Sequence, residues 1–93
     1  MPEIDQKFLK NKRLIRIRLK KEALDSIWTQ CTRKVNASMR MNRTTCIYTV
    51  PEQIFGNYVY NVSDGVKHIR KKLEQTPNIS FEFKNPNTFI IEI

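Results

Sequence analysis

The sequence has little of what catalysis or metal binding draws on. It holds one histidine, His68, and two cysteines, Cys31 and Cys46, which lie fifteen apart and form no CxxC. A structural zinc site needs four such ligands, so no metal and no cofactor is expected. The two glycines, Gly56 and Gly65, are isolated, which excludes a glycine-rich phosphate loop. No Ser, His and Asp arrangement follows from spacing. On a helix His68 shares a face with Asp64 and Lys72, where a solvated histidine is the ordinary outcome. The expectation is a protein that is not an enzyme and has no small-molecule substrate.

Long apolar runs are also missing. No stretch of 18 apolar residues occurs, so no membrane span is expected. Met1, Pro2, Glu3 and Asp5 open the chain without the apolar segment of a secretory signal. The protein is therefore not expected to be secreted. The Asn-x-Ser/Thr triplets at Asn36, Asn42, Asn61 and Asn78 then read as chance products of an Asn-rich chain. Two cysteines cannot form a disulfide scaffold, and they read as reduced, semi-buried thiols. With 93 residues there is room for one small core. Stability from so small a core is marginal, which favours a partner.

Acidic residues are scarce: 9 against 17 Lys and Arg, a net charge of +8. The excess is concentrated. Residues 7–43 carry twelve basic groups and only Glu22 and Asp25, whereas residues 44–93 are neutral. Lys7, Lys10, Lys12, Arg13, Arg16, Arg18, Lys20 and Lys21 fall within fifteen positions. Such a cluster suits an acidic protein surface or nucleic-acid phosphates. Nucleic acid would be held by charge without sequence readout, since no RNA-recognition motif, zinc finger or KH loop is present.

Residues 1–12 read as an extended basic arm, and residues 13–93 as one small domain. In residues 13–20, RLIRIRLK, Ile15, Ile17 and Leu19 alternate with Arg16, Arg18 and Lys20, the period of a half-buried strand. The same letters also extend the following helix backwards, with Leu14 and Ile17 on one stripe; the strand is the reading adopted. From Lys21 to about Met39, Leu24, Ile27, Trp28, Cys31 and Val35 recur at three and four, an amphipathic helix with Trp28 as its core anchor. Residues 44–50 are β-branched and aromatic, a strand ended by Pro51. Ser63 is the expected N-cap of a second helix whose stripe is Val66, Ile69 and Leu73. Ile79, Phe81 and Phe83, then Phe89 and Ile91, alternate across the Asn85-Pro86-Asn87 turn as a hairpin. The expected fold is α+β: a small, mostly antiparallel sheet of three to four strands with two helices on one face. Trp28, Ile69, Leu73, Phe81 and Ile91 should be buried together.

Phe8, Leu9, Ile54, Phe55 and Tyr58 lie outside these stripes. Phe8, Ile54, Phe55 and Tyr58 are the expected apolar interface, since such residues, when exposed, suit a protein contact.

Residues 46–93 carry CIYTVP, then FGNYVYNV, a helix ending KKLEQ, and NPNTFIIEI. This order resembles a family of small proteins of nucleocytoplasmic large DNA viruses. The matching positions are Val50 and Pro51, Gly56 and Tyr60, Pro86 and Asn87, and Phe89 and Ile91. The resemblance implies a viral origin and a place in the virion or the infected-cell cytoplasm, and brings no activity with it. Together the residues and the resemblance point to a structural or interaction protein, a minor capsid component that bridges larger viral subunits through their acidic surfaces. The alternative is a sequence-independent nucleic-acid-binding module.

Overall fold

The computed structural model describes residues 2–93. No glycine or proline interrupts the chain from Glu3 to Met41, and this stretch forms one helix of 35 residues, α1, Gln6–Arg40. Asp5 caps it, its side chain accepting from Phe8 N at 3.1 Å. The far end closes through Asn42, which takes φ 57°. Asn42 N donates to Met39 O and Arg43 N to Ser38 O, both at 3.0 Å, so the last carbonyls are satisfied by the next turn.

Two expectations are corrected here. Residues 14–19 are helix rather than strand, and residues 6–12 are helix rather than an extended arm. No turn residue separates these stretches from the helix that follows. A helix satisfies its backbone within itself, whereas a strand there would need a sheet neighbour. Lys, Arg, Gln and Leu also keep most of their rotamer freedom in a helix.

Three strands follow the expected alternation: β1 (Thr45–Thr49), β2 (Ser80–Lys84) and β3 (Thr88–Glu92). They form one antiparallel sheet in the order β1-β3-β2. Two rows of side chains cross the helix-covered face: Cys46, Ile91 and Phe81, and Tyr48, Phe89 and Phe83. The Phe89 ring stands 5.7 Å from that of Phe81 and 5.0 Å from that of Phe83. The second helix, α2 (Val62–Glu74), lies beside α1 on this face. The fold is therefore α+β, two helices over a three-stranded antiparallel sheet.

The core consists of Ile27 and Cys31 from α1, Ile69 and Leu73 from α2, and Cys46, Tyr48, Val50, Phe89 and Ile91 from the sheet. Trp28 and Phe81 are only half-buried against it. Trp28 lies one helical position beyond the buried line of Ala23, Ile27 and Cys31, so its ring covers the edge of the core instead of filling it. The cap of α2 is Asn61, not Ser63. Asn61 Oδ1 accepts from Asp64 N at 2.9 Å, and Ser63 lies two residues past the cap, already inside the helix. Buried Asn87 ties the hairpin turn to the end of β1: its Nδ2 donates to Val50 O at 2.7 Å and its carbonyl accepts from Val50 N at 2.8 Å. The Tyr48 hydroxyl donates to Ile27 O at 3.1 Å, joining β1 to α1.

Gly65 sits where α2 comes closest to the rest of the core. A Cβ there would lie 2.5 Å from Tyr60 Oη, 2.8 Å from Val50 Cγ1 and 3.1 Å from Ile27 Cδ1. Val50 and Ile27 are fully buried, and Tyr60 is tied by its hydroxyl to Pro51 O. Alanine would gain about 1 kcal/mol of helix propensity, but overpacking of a closed core costs about 1–3 kcal/mol. Gly65→Ala is therefore expected to destabilise despite its better propensity. Urea denaturation checks the sign; a more stable variant would mean that the contact relaxes freely.

Both thiols are free and buried. Burial, and then the nearby Cys46, push the Cys31 thiol from 9.0 up to about 12. Burial also raises the Tyr48 phenol, helped by Cys31 and Tyr60. Each group holds its proton more tightly folded than unfolded. The contribution of Cys31 to stability is complete below pH 9 and is lost as pH rises towards 12, and that of Tyr48 begins to be lost only above pH 10. Unfolding free energies measured by urea from pH 8 to pH 11 should be flat and then fall. A flat profile throughout would contradict the burial of these two groups.

Candidate interaction surface

The two halves of α1 have different surroundings. From Ala23 onward one face of the helix packs on α2 and β1. From residue 6 to residue 18 every side chain is exposed. Thirteen helical residues extend about 20 Å, and they lengthen the molecule to 66 Å against a width of 24 Å.

Lys7, Lys10, Lys12, Arg13, Arg16 and Arg18 lie on this projection, with Lys20 and Lys21 at its base. Two of the eight have acidic partners. Arg18 Nε is 3.7 Å from Glu22 Oε1, and Lys20 Nζ is 3.1 Å from Asp64 Oδ2. The Lys20 ammonium beside Asp64 holds that carboxyl below its usual range. Basic groups on the N-terminal half of a helix oppose its dipole, and Lys12, Arg16 and Lys20 repel one another at i, i+4. Helix stability does not explain this pattern; an anionic neighbour would.

Phe8, Leu9, Leu14, Ile15 and Ile17 are between 41% and 61% exposed on the same segment. At 3.6 residues per turn, Phe8, Ile15 and Leu19 share one side. Leu9 is in line with Arg13, Arg16 and Lys20, and Leu14 and Ile17 with Lys10 and Lys21. Apolar and cationic groups therefore alternate around the whole circumference. Lys12 Nζ even sits 5.7 Å from the centre of the Phe8 ring. A helix that lies on a membrane surface separates the two kinds of residue onto opposite faces; this one does not.

The loop before α2 meets α1 where the projection begins. Ile54 and Asn57 close a tight turn, with Asn57 N donating to Ile54 O at 3.0 Å and Gly56 at φ 80°. Only a residue without Cβ takes that angle freely. Asn57 Nδ2 donates to Leu19 O at 2.7 Å, and its Oδ1 accepts from Val59 N and Tyr60 N at 3.1 Å. One asparagine thus fixes the loop and clamps it to the helix. The turn presents Phe55 fully to solvent, with Tyr58 also exposed, while Ile54 packs half-buried against the core.

The expected apolar interface is therefore divided. Phe55 and Tyr58 are surface residues beside the base of the projection, and Ile54 belongs to the core margin. Phe8 is eleven residues from Leu19, about 16 Å up the helix. All eight expected cations do fall on one helical segment. Leu14, Ile15 and Ile17 belong to the surface as well, which a reading of residues 14–19 as a half-buried strand conceals.

Among the described residues no cluster of His, Cys, Asp and Glu could hold a metal ion, and no helix is long and apolar enough to cross a membrane. His68 lies between the two helices with Nε2 unpartnered. Burial, and then Lys72, hold it below its ordinary pKa, so it is neutral at pH 7.

Residues 4–74 match a protein family of unknown function, DUF5759, and the chain belongs to that family. The matched segment runs from two residues before α1 to the last residue of α2. It takes in the basic half that the resemblance of residues 46–93 leaves aside, and it stops before the β2-β3 hairpin. No curated protein and no solved structure matches the chain.

Proposed function

We propose that this chain is a non-enzymatic interaction protein whose projecting half of α1 docks into an acidic, partly apolar recess of a larger protein. The observation that carries the reading is the uncovered segment 6–18, on which cations and large apolar side chains alternate around the helix. A partner that enclosed the segment would supply carboxylates to the cations and pockets to the apolar residues. Phe55, on its clamped turn at the base of the projection, would meet the rim of that recess. With the viral resemblance of residues 46–93, the assembly is a virion. The chain then acts as a minor capsid component bridging larger subunits, made in the infected-cell cytoplasm.

The second reading is a sequence-independent nucleic-acid binder. It is favoured by the eight basic residues of positions 7–21, among which no acidic residue falls. It leaves Phe8, Leu9, Leu14, Ile15 and Ile17 without a role, because phosphates need cations alone. Purification from expressing cells with and without nuclease separates the two. A protein partner retained after nuclease supports the first reading, and loss of all bound material on nuclease treatment supports the second.

A further inference from the structure

At the other end of α1, 11 to 22 residues beyond Ile17, the two helices part. Between them and the start of β2 lies a cavity of about 320 Å³. Trp28, Val35 and Met39 form its α1 wall, Leu73 its α2 wall, and Pro77 and Ile79 its end. The lining is mainly apolar, with Thr32, Asn36, Thr76 and Asn78 as its polar members, and Cys31 is the only titratable residue among its side chains. The mouth is adaptable: Met39 in the lining is half exposed, and thioether side chains fill irregular contacts well. A second, shallower hollow of about 270 Å³, lined by Ile17, Leu24 and His68, opens further along the same pair of helices.

Charge around this trough is mainly positive. From Ser26 to Arg43 the chain carries Arg33, Lys34, Arg40 and Arg43 and no acid. On α2, Lys71 and Lys72 stand beside His68, and Lys20 and Lys21 edge the shallow hollow, where Asp25 is the acidic residue. A second copy would bring its own basic α1 to this rim and be repelled.

We infer that the trough between α1 and α2 is a second docking surface, which takes an amphipathic helix with acidic flanks and seats a large apolar side chain of that helix in the cavity beside Trp28. Helix-in-groove recognition uses apolar anchors at i, i+3, i+4 and i+7, and the straight channel between two helices accepts such a face. The flanking carboxylates of the bound helix would meet Lys72 and the cations of α1. The cavity end of this surface lies apart from the projecting half, which meets the trough only at Ile17, Lys20 and Lys21. Arg16 and Thr32 are separated by about 24 Å along the helix, three Debye lengths at physiological salt. A chain with two such surfaces, one at each end of α1, could join two partners.

Trp28 is the only tryptophan, so its emission reports on the cavity. The probe is an 18-residue helical peptide without tryptophan, with Leu, Phe and Leu at i, i+4 and i+7 and Glu on its other faces. A peptide of the same apolar face with Lys for Glu is the control. The full chain should show a saturable change of Trp28 emission with the acidic peptide. The Lys peptide should bind at least about tenfold more weakly. Met39→Glu, at an exposed position whose folding circular dichroism verifies, should weaken the acidic peptide by about tenfold, and Met39→Leu should not. Replacing Lys7, Lys10, Lys12, Arg13 and Arg16 by Gln should leave this response within about twofold, whatever becomes of the docking of the projecting half. No saturable change, equal binding of the two peptides, or a Trp28 response to protein concentration alone, which would identify a second copy, overturns the inference.

Discussion

Phe89→Ala should unfold most of the population, whereas Phe55→Ala should leave stability unchanged. Phe89 is fully buried on the middle strand, with Tyr48 and Phe83 directly across from it on either side. Truncating such a phenylalanine removes its transfer free energy and leaves a cavity, about 3–5 kcal/mol together. A 93-residue domain sits at the low end of the usual 5–15 kcal/mol, so this loss approaches the whole. The Phe81 ring, which packs edge-on against Phe89, and the tilted Phe83 ring lose their neighbour too. Phe55 contacts solvent only, and surface changes of this kind stay within about 0.5 kcal/mol. Urea titration of both variants decides the matter. A cooperative Phe89→Ala transition near that of the parent would mean that the hairpin is not the centre of the core.

The second large effect concerns binding. Replacing Lys7, Lys10, Lys12, Arg13 and Arg16 by Gln should weaken capture of the protein partner by about a hundredfold or more, since each lost charge contact at a partly enclosed interface is worth about 0.5–1 kcal/mol. Phe8→Ser combined with Ile15→Ser and Ile17→Ser should weaken it by a similar factor, because apolar anchors in pockets dominate such contacts. Neither set touches the core, since all of these residues lie on the uncovered segment. Thermal unfolding should therefore be unchanged. Phosphate binding behaves differently. Its affinity falls linearly with the logarithm of salt, and the serine variants would leave both affinity and slope intact. A loss confined to the glutamine variants favours nucleic acid.

What could be read from the sequence follows from what is buried on one side. Ile79, Phe81 and Phe83 alternate because they face a core, and so do Phe89 and Ile91; the hairpin is legible for that reason. Ile69 and Leu73, and Ile27 and Cys31, recur at four because each helix buries one stripe. The first half of α1 packs against nothing in its own chain. Its apolar residues therefore have no single stripe to occupy, and Ile15, Ile17 and Leu19 fall into a strand-like alternation by chance. The better signal is negative: from Glu3 to Met41 no glycine or proline interrupts a helix. The positions of the cations were legible as a cluster. That they ring an isolated helix, and that Asn57 clamps Phe55 beside its base, depends on tertiary contacts that no local pattern carries. Asn61 rather than Ser63 caps α2 for a similar reason. Both side chains can cap, and only the entry of the chain into the helix chooses between them.

The central claim is that the projecting half of α1 is enclosed by protein. A photo-crosslinking amino acid in place of Ile15, halfway along the exposed segment, tests it in the cells that make this chain. The expected product is a covalent adduct that survives nuclease, is destroyed by protease, and yields crosslinked peptides rich in Asp, Glu and apolar residues. An adduct that nuclease removes, or no adduct under conditions in which the same group in place of Phe55 crosslinks, would contradict it.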